Sequence, residues 1–445
     1  MANLSRSRSI KISAEFWPDH HGGEARDAWS DVFRTVRAET ERRAAPLSPE
    51  DQVVQSMPDA SPIKWHRAHT TWFFEQFILA PHVPSYRVYD PHFAFLFNSY
   101  YVAAGPRHAR PKRGLLTRPD AAEVTRYRAH VDAAIGDLIA DAAPASLVEV
   151  APLVEIGLHH EQQHQELMLT DILHAFSENP TAPVYDSDWG WPHPPPYPPP
   201  RPLPNPPPQA GEGREGESGE GREGGNDWCE LPEGIHTVGH QGHGFCFDNE
   251  TPAHRALVGP LRLARNLVSN GEWLAFMRDN GYGRPELWLS DGWAVAAAEA
   301  WAAPGNWREI DGKWHVFTLS GLSPVKEELP VTHVSYYEAD AFARWAGKHL
   351  PSEFEWEVAA RAGELKDAFG IVWQWTRSAY VPYPAYRPVA GALGEYNGKF
   401  MVNQMVLRGS SMATPQSHSR VSYRNFFYPA ARWQFTGVRL ADFPS

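Results

Sequence analysis

Cysteine is nearly absent from this chain. Cys229 and Cys246 are the only two in 445 residues. Two thiols give no disulfide framework, and the long stretch after Cys246 has none at all. An excess of basic charge is missing too. The 41 Lys and Arg stand against 53 Asp and Glu, a net charge of −12, which argues against a nucleic-acid footprint. No apolar run is long enough to cross a bilayer, and the opening Met-Ala-Asn-Leu-Ser-Arg-Ser-Arg has no apolar signal core. The expectation is a soluble cytoplasmic protein with neither a membrane nor a nucleic-acid partner.

What is present is apolar and aromatic. Hydrophobic residues make up 42% and aromatic residues 12%, ample for real cores, and 18 tryptophans suit packed aromatic pockets. The length predicts about two domains. Regions 24–44, 48–58, 62–80, 119–142 and 147–177 have helical periodicity and start signals. Ser48-Pro49-Glu50-Asp51 supplies an N-cap with acids behind it; Ser61 supplies another, with Pro62 as first helical residue. Long helices of this kind predict an up-and-down bundle over residues 1–182.

Residues 183–226 break the pattern. A tract from Trp191 to Pro202 is mostly proline, and Gly211 to Gly225 is mostly glycine and glutamate. The first reads as stiff and extended, the second as flexible and solvated: a linker rather than a polyproline ligand. From 227 to 445 short strand-like runs alternate with turns. Ser269–Glu272, Ser335–Glu338 and Ser352–Glu355 are capping boxes that start short helices, and Gly281 and Gly347 read as stops. This half is irregular α+β, with no internal repeat.

The chemistry centres on His160-Glu-Gln-Gln-His164-Gln-Glu166, inside a helix predicted over 153–176. Histidines four apart share a helical face and can hold one metal ion. Two readings compete: the HExxH zinc-peptidase signature with Glu161 as general base, and an iron site carried by a bundle. His159 and His174 lie off the stripe and read as structural. A second segment, Trp65-His-Arg-Ala-His69-Thr-Thr-Trp-Phe-Phe-Glu75, places His69 among Trp65, Trp72 and Phe73 on an interior face. His66 can share that face, so periodicity leaves the choice between His66 and His69 open. One histidine here with His160 and His164 makes a three-histidine site with open positions.

These strings, with Phe247-Asp-Asn-Glu250, Pro330-Val-Thr-His-Val-Ser-Tyr-Tyr-Glu-Ala-Asp340 and Arg432-Trp-Gln-Phe-Thr-Gly-Val-Arg-Leu440, resemble the ergothioneine-biosynthesis iron(II) sulfoxide synthases. The resemblance covers nearly all of the chain outside the linker. It implies a DinB-like four-helix bundle followed by a formylglycine-generating-enzyme-like domain of C-type-lectin type. It also implies Fe(II) held by His69, His160 and His164, with His66 in the non-ligand position. The implied reaction joins the sulfur of cysteine or γ-glutamylcysteine to the imidazole C2 of hercynine (Nα-trimethylhistidine), with dioxygen oxidising the sulfur to a sulfoxide.

Roles for other residues follow from the resemblance. Gln163 and Asn425 are expected to bind substrate, and Phe73, Phe426 and Phe427 to wall the quaternary ammonium by cation–π attraction. Tyr100 and Tyr101 are expected to supply the proton, with Tyr380 and Tyr383 as the fallback. Phe427 and Ala431 stand where the γ-glutamylcysteine branch carries an acid and an arginine. That departure predicts free cysteine, its carboxylate held by Arg110 and Arg113.

Three rivals are weaker. An extended metallopeptidase motif needs glycine at Leu167 and histidine at Thr170. A formylglycine-generating oxidase needs a late cysteine pair, which the chain lacks. A non-enzymatic lectin-like module leaves the three histidines idle.

Overall fold

The helical half begins with α1 (Gly23–Ala44) and α2 (Ile63–Phe74) in this computed structural model, which describes residues 23–190, 227–242, 244–388 and 397–443. A π-type turn at Glu75–Leu79 carries α2 into the short α3 (Ala80–His82); α4 (Phe93–Leu96) is a further single turn. Then come α5 (Ala121–Asp141) and α6 (Pro144–Ser177). Every residue of α2 is buried, so it is the central helix, and α1, α5 and α6 pack around it. On α5 the buried Val124, Tyr127, Val131, Ile135 and Ile139 recur every three or four residues, one face of a helix. Its start is fixed by Asp120, whose side chain accepts from the Glu123 N–H.

α6 runs through Pro152. The missing N–H frees the carbonyl of Val148, but Val148 is exposed and water can take it. Two helix starts differ from the sequence pattern. Region 48–58 forms one turn at Asp51–Val53, where the Ser48 and Asp51 side chains each accept the other's N–H; Pro58 bars helical backbone at Met57. α2 starts one residue later than expected, with Pro62 in the extended cap position. The Ser61 N–H instead donates to Asp171 Oδ2 on α6 at 2.8 Å.

The second half is β-rich. β1 (Trp228–Leu231), β4 (Leu261–Ala264) and β12 (Ala441–Asp442) form one sheet, and β2 (Gly234–Val238) and β3 (His254–Val258) a hairpin. β5 (Trp307–Ile310), β6 (Lys313–Thr318) and β7 (Gly321–Pro324) form a meander. The fourth sheet has order β10-β9-β8-β11 from β8 (Trp373–Ala379), β9 (Met405–Gly409), β10 (Asn425–Phe427) and β11 (Thr436–Gly437). Four short helices, α7 (Asn270–Arg278), α8 (Ser290–Ala298), α9 (Tyr336–Trp345) and α10 (Glu353–Arg361), surround these sheets. All three predicted capping boxes form, at α7, α9 and α10. The left-handed residue after α7 is Asn280 rather than Gly281; after α9 it is Gly347, as expected.

The two halves share a hydrophobic core. Met168, Leu169, Ile172 and Leu173 of α6 pack with Phe317, Leu319, Met412 and Phe435. Residues 183–190, part of the expected linker, pack here too. The Tyr185 and Asp186 N–H groups donate to Leu319 O at 3.1 and 3.0 Å; the Tyr185 hydroxyl donates to Arg43 O at 2.8 Å. The proline and glycine tracts lie outside the described residues.

Candidate metal centre

α2 and α6 cross so that one turn of each faces the other. His69, His160 and His164 meet there, all buried, with one nitrogen of each lying within 4.8 Å of the others. Trp65 and Trp72, four residues before and three after His69 on α2, stack on its ring with centroids 4.5 and 5.5 Å away. The His69 Nδ1–H donates to Phe97 O at 2.6 Å. A carbonyl only accepts, so Nε2 carries the lone pair, and that buried nitrogen has no hydrogen-bond partner among the described residues. Burial holds all three imidazoles below the ordinary histidine range, His160 at about 3. Three neutral imidazoles with converging nitrogens fit a divalent transition metal.

Of the two candidates on α2, His69 joins the cluster. His66 lies beside it, its Nδ1 2.7 Å from His164 Nδ1 and its Nε2 3.0 Å from Asp171 Oδ2.

Glu161 does not serve the site. One carboxylate oxygen accepts from Arg37 at 2.7 Å, the other from Thr40 at 2.6 Å and Arg128 at 3.0 Å. Both oxygens are engaged with α1 and α5, so the general base of a zinc peptidase is not available here.

Above His164 opens a cavity of about 1030 Å³. Its walls come from both halves: Tyr100, Arg113 and Gln163 from the helical half, Tyr423, Asn425 and Phe427 from the β-rich half. Gln163 Nε2 donates to the Tyr423 hydroxyl at 2.5 Å. Arg113 is buried, with its guanidinium 3.4 Å from the Trp65 ring centroid. It donates to Ser61 Oγ at 2.9 Å and Ser99 Oγ at 3.0 Å. Burial, with Arg110 nearby, pulls it down to about 8. A buried cation held mainly by hydroxyls favours an incoming anion. Arg110 lies exposed at the mouth and donates to Asp59 O.

Other expected site residues sit elsewhere. On β10 side chains alternate, so Asn425 and Phe427 face the cavity while Phe426 turns back to stack on Tyr380, centroids 4.0 Å apart. Phe73 is fully buried behind His160, 4.9 Å between rings, and does not reach the cavity wall. Tyr101 packs on Trp72 and Phe77 beneath Tyr100. Tyr380 accepts from Asn249 and Tyr383 donates to Glu353, both away from the cavity.

Sequence reasoning missed three features. Tyr423 orients Gln163. Glu166 ties α6 to the β-rich half, accepting from Trp373 at 2.7 Å, Ser411 at 2.5 Å and Thr414 at 2.6 Å. Asp171, seven residues after His164, shares its helical face, a spacing that was open to notice.

Comparison with known proteins places both halves. Residues 33–168 match the DinB superfamily, and residues 219–371 match the sulfatase-modifying factor enzyme 1-like domain. The chain joins a DinB domain to a sulfatase-modifying-factor domain. It is 31% identical over 243 residues to a hercynine oxygenase of Mycolicibacterium thermoresistibile, covering 44% of this chain and 54% of that one. It is 32% identical over 238 residues to the Mycobacterium tuberculosis hercynine oxygenase, covering 44% and 55%. The chain thus spans about half the length of the curated relatives it matches. Among solved structures, PvdO from Pseudomonas aeruginosa aligns at a TM-score of 0.30 and 20% identity, covering 48% of this chain and 93% of that one. The stretch that matches the DinB superfamily includes the three histidines, while Tyr423, Asn425 and Phe427 of the opposite wall follow the stretch that matches the sulfatase-modifying-factor domain. No helix among the described residues is long and apolar enough to cross a membrane.

Proposed function

We propose that this protein is a non-haem iron(II) enzyme joining cysteine sulfur to the imidazole C2 of hercynine, with dioxygen as oxidant. Forming the C–S bond removes two electrons and two protons from the substrates. Oxidising the sulfur removes two more electrons. The four electrons reduce dioxygen to one sulfoxide oxygen and one water. The observation that carries the reading is the buried His69, His160 and His164 cluster beneath a cavity walled by both domains. Similarity to hercynine oxygenases supports it.

Iron(II) on three neutral imidazoles supplies a cationic, redox-active centre with open positions. The chain's own residues do the rest. Gln163, fixed by Tyr423, and Asn425 orient the substrate imidazole. Phe427 offers its face to the trimethylammonium group, while Phe73 and Phe426 support the site from behind. Arg113 takes the cysteine carboxylate, and Arg110 attracts it at the mouth. Tyr100, on the cavity wall, holds the proton that the reduced oxygen needs; Tyr101 backs it.

The test is anaerobic reconstitution with Fe(II), then air with hercynine and either cysteine or γ-glutamylcysteine, read by mass spectrometry. Hercynylcysteine sulfoxide from cysteine is expected. Product from γ-glutamylcysteine alone overturns the thiol choice; no sulfoxide from either overturns the reading.

A further inference from the structure

His66 and Asp171 are buried polar groups that the proposed chemistry does not use. Their geometry sets a chain of hydrogen-bond directions. An ionised carboxylate only accepts, so the 3.0 Å contact to Asp171 Oδ2 requires that His66 Nε2 carry the proton. A His66 ring in the tautomer with its proton on Nε2 presents a lone pair at Nδ1. The 2.7 Å contact between the two Nδ1 atoms therefore runs from His164 Nδ1–H to His66. With its Nδ1 protonated, His164 has its lone pair on Nε2, the nitrogen left for the cluster. Asp171 is itself anchored, since the same oxygen accepts the Ser61 N–H at 2.8 Å.

We propose that Asp171 and His66 are positioning residues for the metal centre: the carboxylate fixes the tautomer of His66, which fixes the tautomer and ring orientation of His164. The inference rests on the metal-site reading above. It gives His66 a task distinct from that of the ligands, and it ties the cap of α2 to the metal through Ser61 and Asp171. Outer partners of this kind commonly set metal affinity, with losses of about 10–100-fold when removed. His69 has a backbone carbonyl in the same role, whereas the orientation of His164 depends on replaceable side chains.

The experiment titrates Co(II) into the full metal-free chain, following the visible d–d bands against a competing chelator. His66→Phe keeps the aromatic volume and removes the acceptor; the expected affinity loss is about 10-fold or more. His66→Asn returns an acceptor near the Nδ1 position and should recover part of that loss. Asp171→Asn is isosteric and removes the charge, with an expected loss of several-fold, and it decides the matter if the Phe variant does not fold. Wild-type affinity in a folded His66→Phe protein, or in Asp171→Asn when that variant must decide, overturns the inference. If the wild-type chain shows no Co(II) bands that depend on His160, the metal-site reading itself fails, which is a separate result.

Discussion

At the residue scale the deciding contrast lies between neighbours in one motif. His160 and His164 face α2, while Glu161, one residue on, is turned into a buried ion-pair network with Arg37 and Arg128. A helix turns about 100° per residue, and that turn carries Glu161 away from α2 toward α1 and α5. Glu161→Ala leaves Arg37 with Asp132 and Arg128 with Glu41 as their remaining carboxylates, and the expected cost of the lost buried hydrogen bonds is about 1–3 kcal/mol of stability. Urea unfolding of the metal-free protein measures it. A variant of wild-type stability that has lost only activity would contradict this role and revive the peptidase reading. The His160–His164 stripe was legible because helical periodicity needs only local sequence. The choice of His69 over His66 was not, because the partner that takes His66 lies on α6, 105 positions away. Phe426 was misread for a similar reason: a strand of three residues gives no parity until its neighbours are known.

At the scale of elements, α6 connects the site to the rest of the molecule. It carries two histidines of the cluster, Gln163 for the cavity, Asp171 beneath His66, and Glu166 for the neighbouring domain. Burial pushes the Glu166 carboxyl upward while its three donors pull it down. Glu166→Ala orphans the Trp373 indole N–H and removes the shared acceptor of the Ser411 and Thr414 hydroxyls, which can then donate only to each other, at 3.3 Å. A loss of at least about 2 kcal/mol is expected from unsatisfied buried donors. Urea midpoints of the variant and wild type check it; equal midpoints would remove Glu166 from the contact. The main helices could be read from the chain because each has a long apolar stripe or a cap. Region 48–58 misled because its cap signal is real, as the Ser48–Asp51 pair shows, but Pro58 leaves room for only one turn. The domain contact had no local signal at all, since it joins Glu166 to residues more than 200 positions away.

At the scale of the whole molecule, many histidines are buried in the neutral form. Burial holds His174, His333 and His418 below the ordinary range, His333 at about 3. In the unfolded chain they take up protons as pH falls below about 6.5, while in the folded chain they resist. Their stabilising contribution is therefore complete above pH 6.5 and is lost progressively below it, each by up to about 1.4 kcal/mol per pH unit. Glu155 opposes this, since burial pushes its carboxyl up to about 7 and it favours the folded state as pH falls. Asp132, Glu166 and Asp340 are held high in the same way, but nine histidines among the described residues are held low against these four acids, so the urea midpoint of the metal-free protein should drop between pH 7 and pH 5. A midpoint that rises over that interval would contradict the burial pattern. The two-domain order was legible because composition changes sharply at the proline tract, but the shared core and the cavity between the halves depend on contacts that composition does not carry.

The central claim is iron-dependent transfer of oxygen to a newly joined sulfur at His69, His160 and His164. The most direct test is a single turnover of Fe(II)-loaded protein with hercynine, cysteine and ¹⁸O₂, compared with His160→Ala. The account predicts a hercynine–cysteine sulfoxide carrying one labelled oxygen from the wild-type chain and none from the variant. An unlabelled sulfoxide, or labelled product of equal yield from His160→Ala, would contradict it.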